Sequence, residues 1–462
     1  MFRKVLILNR GEIACRVART LERLGISSVA VYSDADAQAP HVRAATEAVR
    51  LGPAPVRESY MNLPAVSAAI QATGAEAVHP GYGLLSESPK LARAVAAAGA
   101  TFIGPPATAL EQLGDKLAAR SLARSLGVEP PPGSAEPIAP EAVEQLQREA
   151  ERVGYPVILK AAAGGGGIGM LVVRDPAELG RAAKTCTDRA AQAFGDSRVY
   201  LERYLERPHH IEVQVLLDAF GGAVALGERE CSVQRRHQKV LEESPSPAPF
   251  FDGADGAARR AALFDSALKL VRAAGYVGAG TVEFIVDASG QAYFLEVNAR
   301  LQVEHPVSEL VTGLDLVEWQ LRIAAGEQLP PELLANTRTG HAIEVRLYAE
   351  DPARGFIPQP GRIERLRWAE NVPGLRVDAG VEEGGEVSSH YDPLLAKLIA
   401  HAPTRPEAIA RLRAGLQQTE LVLQGPKGPR ATNQAWLLRI LDNAEFAAGD
   451  YDTGLVQRLG GA

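Results

Sequence analysis

Polar residues alternate with apolar ones along the stretch FLEVNARLQVE (294–304). An extended strand would place its successive side chains on opposite faces, so one face here would be polar and the other apolar. A sheet with one solvated face produces the same alternation without any chemistry. The polar face would carry two carboxylates, two amides and a guanidinium, at Glu296, Asn298, Arg300, Gln302 and Glu304.

A hairpin would bring a third carboxylate onto the same face. The residues DASG (287–290) predict a tight turn that pairs Glu283 with Phe294. Glu283 and Glu296 are then diagonal neighbours, about 7–8 Å apart, and Asn298 is the next residue on that face. Hard oxygen ligands of this kind suit Mg²⁺, and a bridging cation would offset the repulsion between the two carboxylates. We therefore predict a magnesium site here, completed by nucleotide phosphates.

A glycine-rich loop, AAAGGGGIGM (161–170), follows the apolar strand YPVILK (155–160). Glycines let backbone N–H groups approach phosphate oxygens, and Lys160 at the end of the strand would neutralise their charge. The spacing differs from that of a P-loop, which indicates another kind of nucleotide-binding fold. A flexible surface loop is the alternative for an isolated glycine run.

The run QRRHQK (234–239) concentrates four basic side chains in a protein of net charge -7. Charge runs are most often solvated faces. The following EESPSPAP (242–249) is predicted to be a loop, which would place the basic run at the edge of a cleft. There it could bind the anion that phosphate-transfer chemistry requires, through Arg235, Arg236, His237 and Lys239.

The elements that must position these residues begin with a βαβ unit. Residues 4–33 contain an apolar strand, a stretch of helical period and a second apolar strand, which predicts the start of a parallel sheet. The first turn, NRGEI, lacks the GxGxxG fingerprint, and this disfavours hydride transfer. We place the end of the first domain near residue 115 and a Pro-rich linker at 129–140.

Alternating strands separated by Gly-containing turns follow from about residue 205 and predict a largely antiparallel, mixed α+β body. Their predicted bounds are 210–217, 223–230, 281–286 and 293–304. A third module with its own strands and the helix PEAIARLRAGLQQ (406–418) is predicted from about residue 331.

Length and composition limit the possible classes of protein. A chain of 462 residues exceeds what one core normally supports, so two or three domains are expected. The acidic net charge disfavours a nucleic-acid-binding face. The three cysteines lack CxxC spacing and suit a reducing compartment. Without an apolar run of membrane-spanning length or a cleavable leader, we expect a cytoplasmic protein that does not associate with membranes.

Long motifs along the chain resemble those of the biotin carboxylase family. They are RGEIACRVART (10–20), HPGYGLLSE (79–87), FIGP (102–105), GDK (114–116), GYPVILKAAAGGGGIGM (154–170), ERECSVQRRHQKVLEE (228–243), GAGTVEF (278–284), EVNARLQVEHPVSE (296–309), GHAIEVRLYAEDP (340–352) and YDPLLAKL (391–398). The resemblance implies a multidomain fold of α/β and α+β parts. These would be a Rossmann-like pre-ATP-grasp domain (1–115), an ATP-grasp domain (116–330) with a mobile lid at about 133–204, and a biotin carboxylase C-terminal domain (331–450).

The resemblance also implies an ATP site with Mg²⁺ or Mn²⁺. Lys116 and Lys160 would hold phosphates, with Gly166 and Gly167 in the lid loop. The Mg²⁺ ligands would be the three residues already indicated by the predicted hairpin. The residues that would grip or support the nucleotide base are Glu202, Arg203, Tyr204, Leu205, His210, Gln234 and His237.

Carboxylation of biotin by ATP and bicarbonate, through carboxyphosphate, is the activity that the resemblance implies. Glu304 would be the general base, and Arg346 would stabilise the biotin enolate. Tyr82 and Gly83 would line the approach of biotin. The bicarbonate ligands would be Lys239, Arg300, Gln302 and the backbone of Val303.

Partners follow from the same resemblance. None of the three methionines, Met1, Met61 and Met170, lies beside a lysine, so we expect biotin to arrive on a separate carrier protein or domain. A carboxyltransferase subunit would use the product, which suggests the first half-reaction of an acyl-CoA carboxylase. A homodimer is also implied.

Two alternatives remain at the level of sequence. Another ATP-grasp ligase, joining a carboxylate to an amine, would share the nucleotide and Mg²⁺ residues but has no need of RLQVEHPVSE or QRRHQK. A weakened regulatory subunit is suggested by Ile168, where the family usually has a basic residue. A second departure is Ala163, in place of a usual glycine. We expect these two departures to affect nucleotide binding or lid closure. The segment GPKGPRATN (425–433) resembles an insertion.

Overall fold

The computed structural model describes residues 1–134, 136–139, 142–161, 170–335 and 337–460. The chain begins with a parallel sheet of order β3-β2-β1-β4-β5, which confirms the predicted βαβ opening. Its elements are β1 Lys4–Ile7, α1 Gly11–Arg23, β2 Ser27–Ser33, α2 Pro40–Ala44, β3 Glu47–Gly52, α3 Leu63–Thr73, β4 Ala77–His79, α4 Pro89–Ala97, β5 Thr101–Phe102 and α5 Ala107–Gly114.

The tight turn between β1 and α1 positions the first acidic side chain of the site region. Gly11 has φ +64, a conformation that glycine adopts without steric cost. The turn starts α1 directly at the carboxyl end of β1, so Glu12 in the first helical turn points into the interior and is 4% exposed.

A small antiparallel sheet of order β7-β6-β8 comes next. It places Lys160 on β6 and Glu202 on the adjacent strand β8. Part of the predicted Pro-rich linker lies against β8, with isolated bridges from Gly133 to Glu202 and from Ile138 to Val199. The elements are α6 Lys116–Ser125, α7 Val143–Val153, β6 Val157–Ala161, β7 Leu171–Val173, α8 Leu179–Phe194 and β8 Val199–Arg203.

A large sheet of order β13-β12-β9-β10-β11-β14-β20-β18 forms the centre of the molecule. Its strands pair antiparallel, and the sheet runs without a break across the predicted boundary at residues 330 and 331. Elements up to that boundary are β9 His209–Leu217, β10 Ala223–Arg235, β11 Gln238–Ser244, α9 Gly253–Ala273, β12 Gly278–Val286, β13 Ala292–Asn298, α10 His305–Thr312 and α11 Leu316–Ala324.

The remaining elements complete this sheet and add a second one, of order β19-β17-β21-β22. The helix predicted at 406–418 is present as α13, and residues 425–430 of the predicted insertion form the β21–β22 hairpin. The elements are α12 Pro331–Leu334, β14 His341–Tyr348, β15 Glu350–Asp351, β16 Ile357–Pro358, β17 Gly361–Arg367, β18 Leu375–Ala379, β19 Glu386–Val387, β20 Leu394–Ala402, α13 Arg405–Gln418, β21 Glu420–Gly425, β22 Gly428–Arg430, α14 Gln434–Leu441, α15 Ala444–Ala448 and α16 Leu455–Arg458. Short 3₁₀ helices lie at Asp34–Asp36, Val56–Glu58, Pro176–Glu178, Pro249–Phe251 and Pro352–Arg354.

Two predictions about the striped segment are wrong. The strand ends at Asn298 instead of continuing to residue 304, and the following residues form an irregular connection to α10. The register also differs, because Phe284 pairs with Phe294 while Glu283 pairs directly with Glu296. A β-bulge at this point adds one residue to β13, which a simple alternation of side chains cannot reveal.

Within the ranges that the structure describes, none of the helices is both long enough and apolar enough to traverse a membrane.

Candidate active site

A row of charged residues crosses four strands of the large sheet. Arg229 on β10, Glu212 on β9, Glu283 on β12 and Glu296 on β13 are successive direct cross-strand partners. Side chains opposite one another in this way have Cβ atoms about 4.5–5.5 Å apart, and like charges there repel. The three adjacent carboxylates therefore need compensating cations.

Lys239, near the start of β11, supplies one of these cations. Its Nζ donates to Glu283 Oε1 at 2.8 Å and to Glu304 Oε1 at 2.7 Å, and it also pairs with Glu212. We define the base cluster as Lys239, its three carboxylate partners and Arg346: Glu212, Lys239, Glu283, Glu304 and Arg346. One ammonium group thus holds three carboxylates together.

Glu304 is the N-cap residue of α10 and is almost fully buried. Its second oxygen accepts a hydrogen bond from Arg346 Nη2 at 2.9 Å. Burial alone would raise the pKa of the Glu304 carboxyl, but the charges of Lys239, Arg346 and Arg229 outweigh this effect and hold the pKa well below its usual range. The predicted base is therefore ionised and aligned.

Arg346 contacts a second buried carboxylate, Glu242 on β11. Burial raises the pKa of Glu242 to about 7; Arg346 opposes this rise, and the nearby charge of Glu304 adds to it. Sequence reasoning missed Glu242 because residues 242–244 were predicted to be a loop, whereas β11 extends to Ser244.

Glu283 connects the base cluster to two residues that the resemblance assigns to the nucleotide base. His210 Nε2 lies 3.0 Å from Glu283 Oε2, and His210 Nδ1 lies 2.9 Å from Gln234 Nε2. Burial lowers the pKa of His210, but the Glu283 carboxylate more than compensates and the net pKa is raised. These two side chains therefore border the cluster directly.

A second group, the nucleotide edge, is defined by Lys116, Lys160, Glu202, Glu296 and Asn298. Lys116 Nζ is 3.6 Å from Glu296 Oε2, and these side chains are 32% and 38% exposed. Lys160 instead pairs with buried Glu202, which also receives the guanidinium of Arg120. The Glu202 side chain thus anchors two cations in this structure.

Arg300 lies between the two groups, in the irregular connection after β13. Its Nη2 donates to Asn298 Oδ1 at 2.9 Å, and its Nε lies 3.3 Å from the carboxylate of Glu87. Glu87 also accepts a hydrogen bond from the Ala299 backbone nitrogen at 2.8 Å. The predicted anion-binding arginine is therefore braced at the edge of the site.

The two residues before the predicted base are fixed by different contacts. Gln302 donates from Nε2 to Glu283 Oε1 at 2.9 Å and accepts from Arg229 Nη2 at 2.6 Å. The Val303 carbonyl accepts a hydrogen bond from Lys397 Nζ at 2.7 Å. These contacts hold the connection to α10 from both sides.

The other predicted residues lie farther from the base cluster's hydrogen bonds. The Tyr82 hydroxyl donates to Glu12, and Gly83 is exposed with φ +63. Gly166, Gly167, Ala163 and Ile168 lie outside the described residues. The remaining ones are half-buried or exposed: Arg203, Tyr204, Leu205 and His237.

The donors of the predicted magnesium site fit Mg²⁺ chemically. Glu283 and Glu296 are direct cross-strand partners instead of the diagonal neighbours predicted, and Asn298 Oδ1 adds a third oxygen. The described residues also contain the groups His210–Glu212–Glu283 and Glu212–Cys231–Glu304, each with ligand atoms within 4.8 Å of one another. These two groups share carboxylates that Lys239 already neutralises.

Glu212 and Arg229 were missed by the sequence analysis although a signal existed. In HIEVQVLL (210–217), polar residues alternate with apolar ones just as they do in the striped segment. All of β9 is buried, so its polar positions needed partners within the protein. The buried guanidinium of Arg229 satisfies them, donating to Glu212, Gln214 and Gln302.

Family models match almost the whole chain. Residues 1–110 match "Biotin carboxylase, N-terminal domain" and residues 344–458 match "Biotin carboxylase C-terminal domain". Residues 115–332 match "Carbamoyl-phosphate synthase L chain, ATP binding domain".

Individual relatives agree with these matches. A biotin carboxylase from Halalkalibacterium halodurans is 48% identical, over 99% of this chain and 97% of its own length. A propionyl-CoA carboxylase alpha chain from Ruegeria pomeroyi is 47% identical over 99% of this chain. The chain spans 60% to 68% of the length of the first acyl-CoA carboxylase alpha chains that it resembles.

A solved structure shows the same architecture. It is the biotin carboxylase domain dimer of the 2-oxoglutarate carboxylase from Hydrogenobacter thermophilus, in complex with MgADP, ADP and bicarbonate. It superposes with a TM-score of 0.91 and 40% identity, and the match covers 100% of this chain and 98% of that one.

Proposed function

The chain belongs to the biotin carboxylase family, and we propose that it uses ATP and bicarbonate to carboxylate biotin held on a separate carrier. The observation that carries this proposal is the ionised, buried carboxylate of Glu304 held between Lys239 and Arg346. Such a carboxylate can accept a proton from bicarbonate, and the arginine that it holds can bind the second reactant, biotin.

Bicarbonate is a poor electrophile, so the first step must activate it. We assign its binding to Arg300, Gln302, Lys239 and the Val303 backbone, with Glu304 accepting its proton. A bicarbonate oxygen then attacks the γ-phosphorus of ATP, the bond to the β–γ bridging oxygen breaks, and carboxyphosphate forms as ADP is released. Catalysis of such a transfer depends mostly on positioning and charge neutralisation.

The low pKa of Glu304 sets a requirement for this step. While Lys239 and Arg346 both bind the carboxylate, it is a weak proton acceptor. Bicarbonate, as a new anion in the cluster, competes for Lys239 and thereby raises the proton affinity of Glu304. Substrate binding would in this way activate the base.

Glu283, Glu296 and Asn298 are the residues that would hold Mg²⁺. The ion would neutralise charge on the nucleotide phosphates. The cations of the nucleotide edge, Lys116 and Lys160, would contribute further charge on the phosphate side.

The second step is attack by the biotin ureido nitrogen on the activated carboxyl carbon. The C–N bond forms as the bond from that carbon to the phosphate oxygen breaks, and the released inorganic phosphate takes up the ureido proton. Negative charge develops on the ureido oxygen, and we assign its stabilisation to Arg346. The guanidinium is kept charged and oriented by Glu304 and Glu242 on either side. Tyr82 and Gly83 would border the path of biotin.

The product requires partners. Alpha chains of propionyl-CoA and methylcrotonoyl-CoA carboxylases are among the similar proteins. We therefore propose a biotin carrier and an acyl-CoA carboxyltransferase as partners, and a homodimer like that of the Hydrogenobacter domain.

Purified protein with MgATP tests the proposal. We expect ATP hydrolysis to depend on bicarbonate and to rise on addition of free biotin. Another carboxylate-amine ligase, or a regulatory subunit without turnover, would show no biotin stimulation. ATP hydrolysis indifferent to both bicarbonate and biotin would refute the proposed function.

A further inference from the structure

A fully buried lysine, Lys397 on β20, lies next to Arg346 of the base cluster and has no role in the proposed chemistry. Its direct cross-strand partners are Arg346 on β14 and Asp378 on β18. Residues directly opposite one another share a face of the sheet, so Lys397 extends on the same side as the catalytic Arg346. A buried ammonium group is costly unless several partners satisfy it.

The partners of Lys397 come from three separate parts of the chain. Its Nζ donates to the Val303 carbonyl at 2.7 Å and lies 3.3 Å from Glu12 Oε1. It also lies 6.0 Å from the centre of the Tyr82 ring, whose hydroxyl donates to Glu12. One ammonium group thus joins β20, the start of α1, the turn after β4 and the connection before α10.

The hydrogen bond to Val303 acts on the residue next to the predicted base. Glu304 is the N-cap of α10, so the Val303 carbonyl precedes the helix and has no helical partner. Lys397 supplies the missing donor and fixes the plane of the Val303–Glu304 peptide. Lys397 therefore fixes the Val303 backbone, and through it the position of Glu304, without any need to contact ATP or bicarbonate.

The charges around Lys397 support this arrangement. Burial raises the pKa of Glu12, and Lys397 opposes that rise. Burial and the positive charges of Lys397, Arg16 and Arg376 hold the pKa of His305 well below its usual range, so its ring is neutral. The junction is also close-packed, because a Cβ at Gly380 would collide with the Glu12 backbone nitrogen.

We propose that Lys397 is a positioning residue for bicarbonate activation, which sets the Val303–Glu304 peptide and links it to Glu12 and Tyr82. The inference rests on the proposed function. It predicts that the lysine acts on bicarbonate use and leaves nucleotide binding largely unchanged, because none of its contacts involves the nucleotide edge.

Steady-state kinetics of bicarbonate-dependent ATP hydrolysis test the proposal, with Lys397→Met as the neutral variant of similar length. We expect the KM for bicarbonate to rise on the order of 10- to 100-fold, the range seen when outer partners of ligating groups are removed. The KM for ATP should change by less than about twofold. Lys269→Met is the control, since Lys269 is a half-exposed lysine that pairs with Asp265 one turn away on α9.

Glu12→Gln provides a second variant that keeps the side-chain shape. It removes the carboxylate partner of Lys397, so we expect the same rise in the bicarbonate KM with smaller magnitude. In the double variant with Lys397→Met, the two effects should be less than additive. If Lys397→Met does not yield folded protein, Glu12→Gln alone decides the question.

An unchanged bicarbonate KM in folded Lys397→Met, or in Glu12→Gln when that variant alone is available, would overturn the inference. So would a loss of kcat with both KM values unchanged, which is the signature of a smaller active fraction. Both outcomes presuppose a wild-type protein with bicarbonate-dependent hydrolysis. Absence of that activity in the wild type would instead refute the proposed function.

Discussion

The base cluster and the nucleotide edge meet where Glu283 pairs with Glu296 on the large sheet, but the two groups differ in how their charges are satisfied. In the base cluster, Lys239 holds three buried carboxylates and Arg346 holds two, with side chains 12% exposed or less. At the nucleotide edge, Lys116 and Glu296 are about one-third exposed and 3.6 Å apart. The Lys116–Glu296 pair is therefore open to solvent, whereas the base cluster and the Lys160–Glu202 pair are largely buried.

The difference follows from what each group must do. General-base catalysis and stabilisation of developing charge require fixed geometry, which internal ion pairs provide before the substrate arrives. Phosphates and a cation must enter and leave, and the Lys116–Glu296 pair leaves both of its groups accessible to them. Variants of Glu304 and Arg346 should therefore change turnover, and variants of Lys116 should change the affinity for ATP.

Glu304→Gln should have the largest effect. The amide keeps the shape of the side chain but cannot accept the bicarbonate proton, so we expect kcat to fall by about 10²- to 10⁴-fold. ATP binding, measured by equilibrium titration, should stay within about twofold of wild type. Glu332→Gln, at an exposed position, is the control. Wild-type turnover in Glu304→Gln would remove this residue as the base.

Arg346→Lys should come second. Lysine keeps the charge but loses the planar guanidinium, whose Nη2 contacts both Glu242 and Glu304. We expect biotin carboxylation to fall by about 10²- to 10³-fold, the cost of losing an oxyanion donor. Bicarbonate-dependent ATP hydrolysis without biotin should fall much less. Equal losses in both assays would place Arg346 in the first step instead.

Sequence patterns predicted which polar side chains would lie near one another better than they predicted the geometry. The alternation in 294–304 singled out Glu296 and Glu304, and the predicted turn at 287–290 added Glu283. In the structure Glu283 pairs with Glu296 across the strands and shares Lys239 with Glu304. The bulge after Glu283 and the end of the strand at Asn298 could not be predicted. They depend on packing against neighbouring strands, which no local pattern contains.

Residues that act through distant partners were harder to find. Lys397 lies in YDPLLAKL, which reads as an ordinary amphipathic strand, and its partner Glu12 is 385 positions away in sequence. Glu242 was assigned to a loop because of the prolines that follow it. In both cases the role depends on strand order in the large sheet, where β11, β14 and β20 are neighbours.

Lys116→Gln tests the solvent-accessible Lys116–Glu296 pair of the nucleotide edge and should have a moderate effect. It removes a phosphate-directed charge, so we expect the KM for ATP to rise on the order of tenfold with kcat nearly unchanged. Half-exposed pairs such as Lys116–Glu296 stabilise proteins little, so the free energy of unfolding should change by less than about 1 kcal/mol. Lys427→Gln, in the exposed β21–β22 turn, is the control. A large loss of kcat would show that this edge is as preorganised as the base cluster.

The smallest effect is expected for Glu242→Gln, measured as stability against pH. The pKa of Glu242 is raised by burial to about 7 in the folded protein and would be near its ordinary value when unfolded. Between about pH 4.5 and 7, the folded state therefore retains a proton that the unfolded state loses, and this carboxyl makes folding less favourable as pH rises.

Glutamine does not titrate, so the variant should not show this loss of stability. As pH rises from about 5 to 8, its free energy of unfolding should increase by on the order of 1 kcal/mol relative to that of wild type, measured by denaturant unfolding.

The other shifted groups of the cluster should affect both proteins alike. The pKa values of Glu283 and Glu304 are lowered in the folded protein, so the stability they contribute is fully present above their unfolded pKa values and is lost only at lower pH. The pKa of His210 is raised in the folded protein, so its contribution to stability is lost as pH rises through that pKa. This loss should be about equal in wild type and in Glu242→Gln. A difference in unfolding free energy that stays constant across this range would mean that Glu242 is already ionised at pH 5. Arg346 of the base cluster would then face the negative charge of Glu242 in addition to that of Glu304.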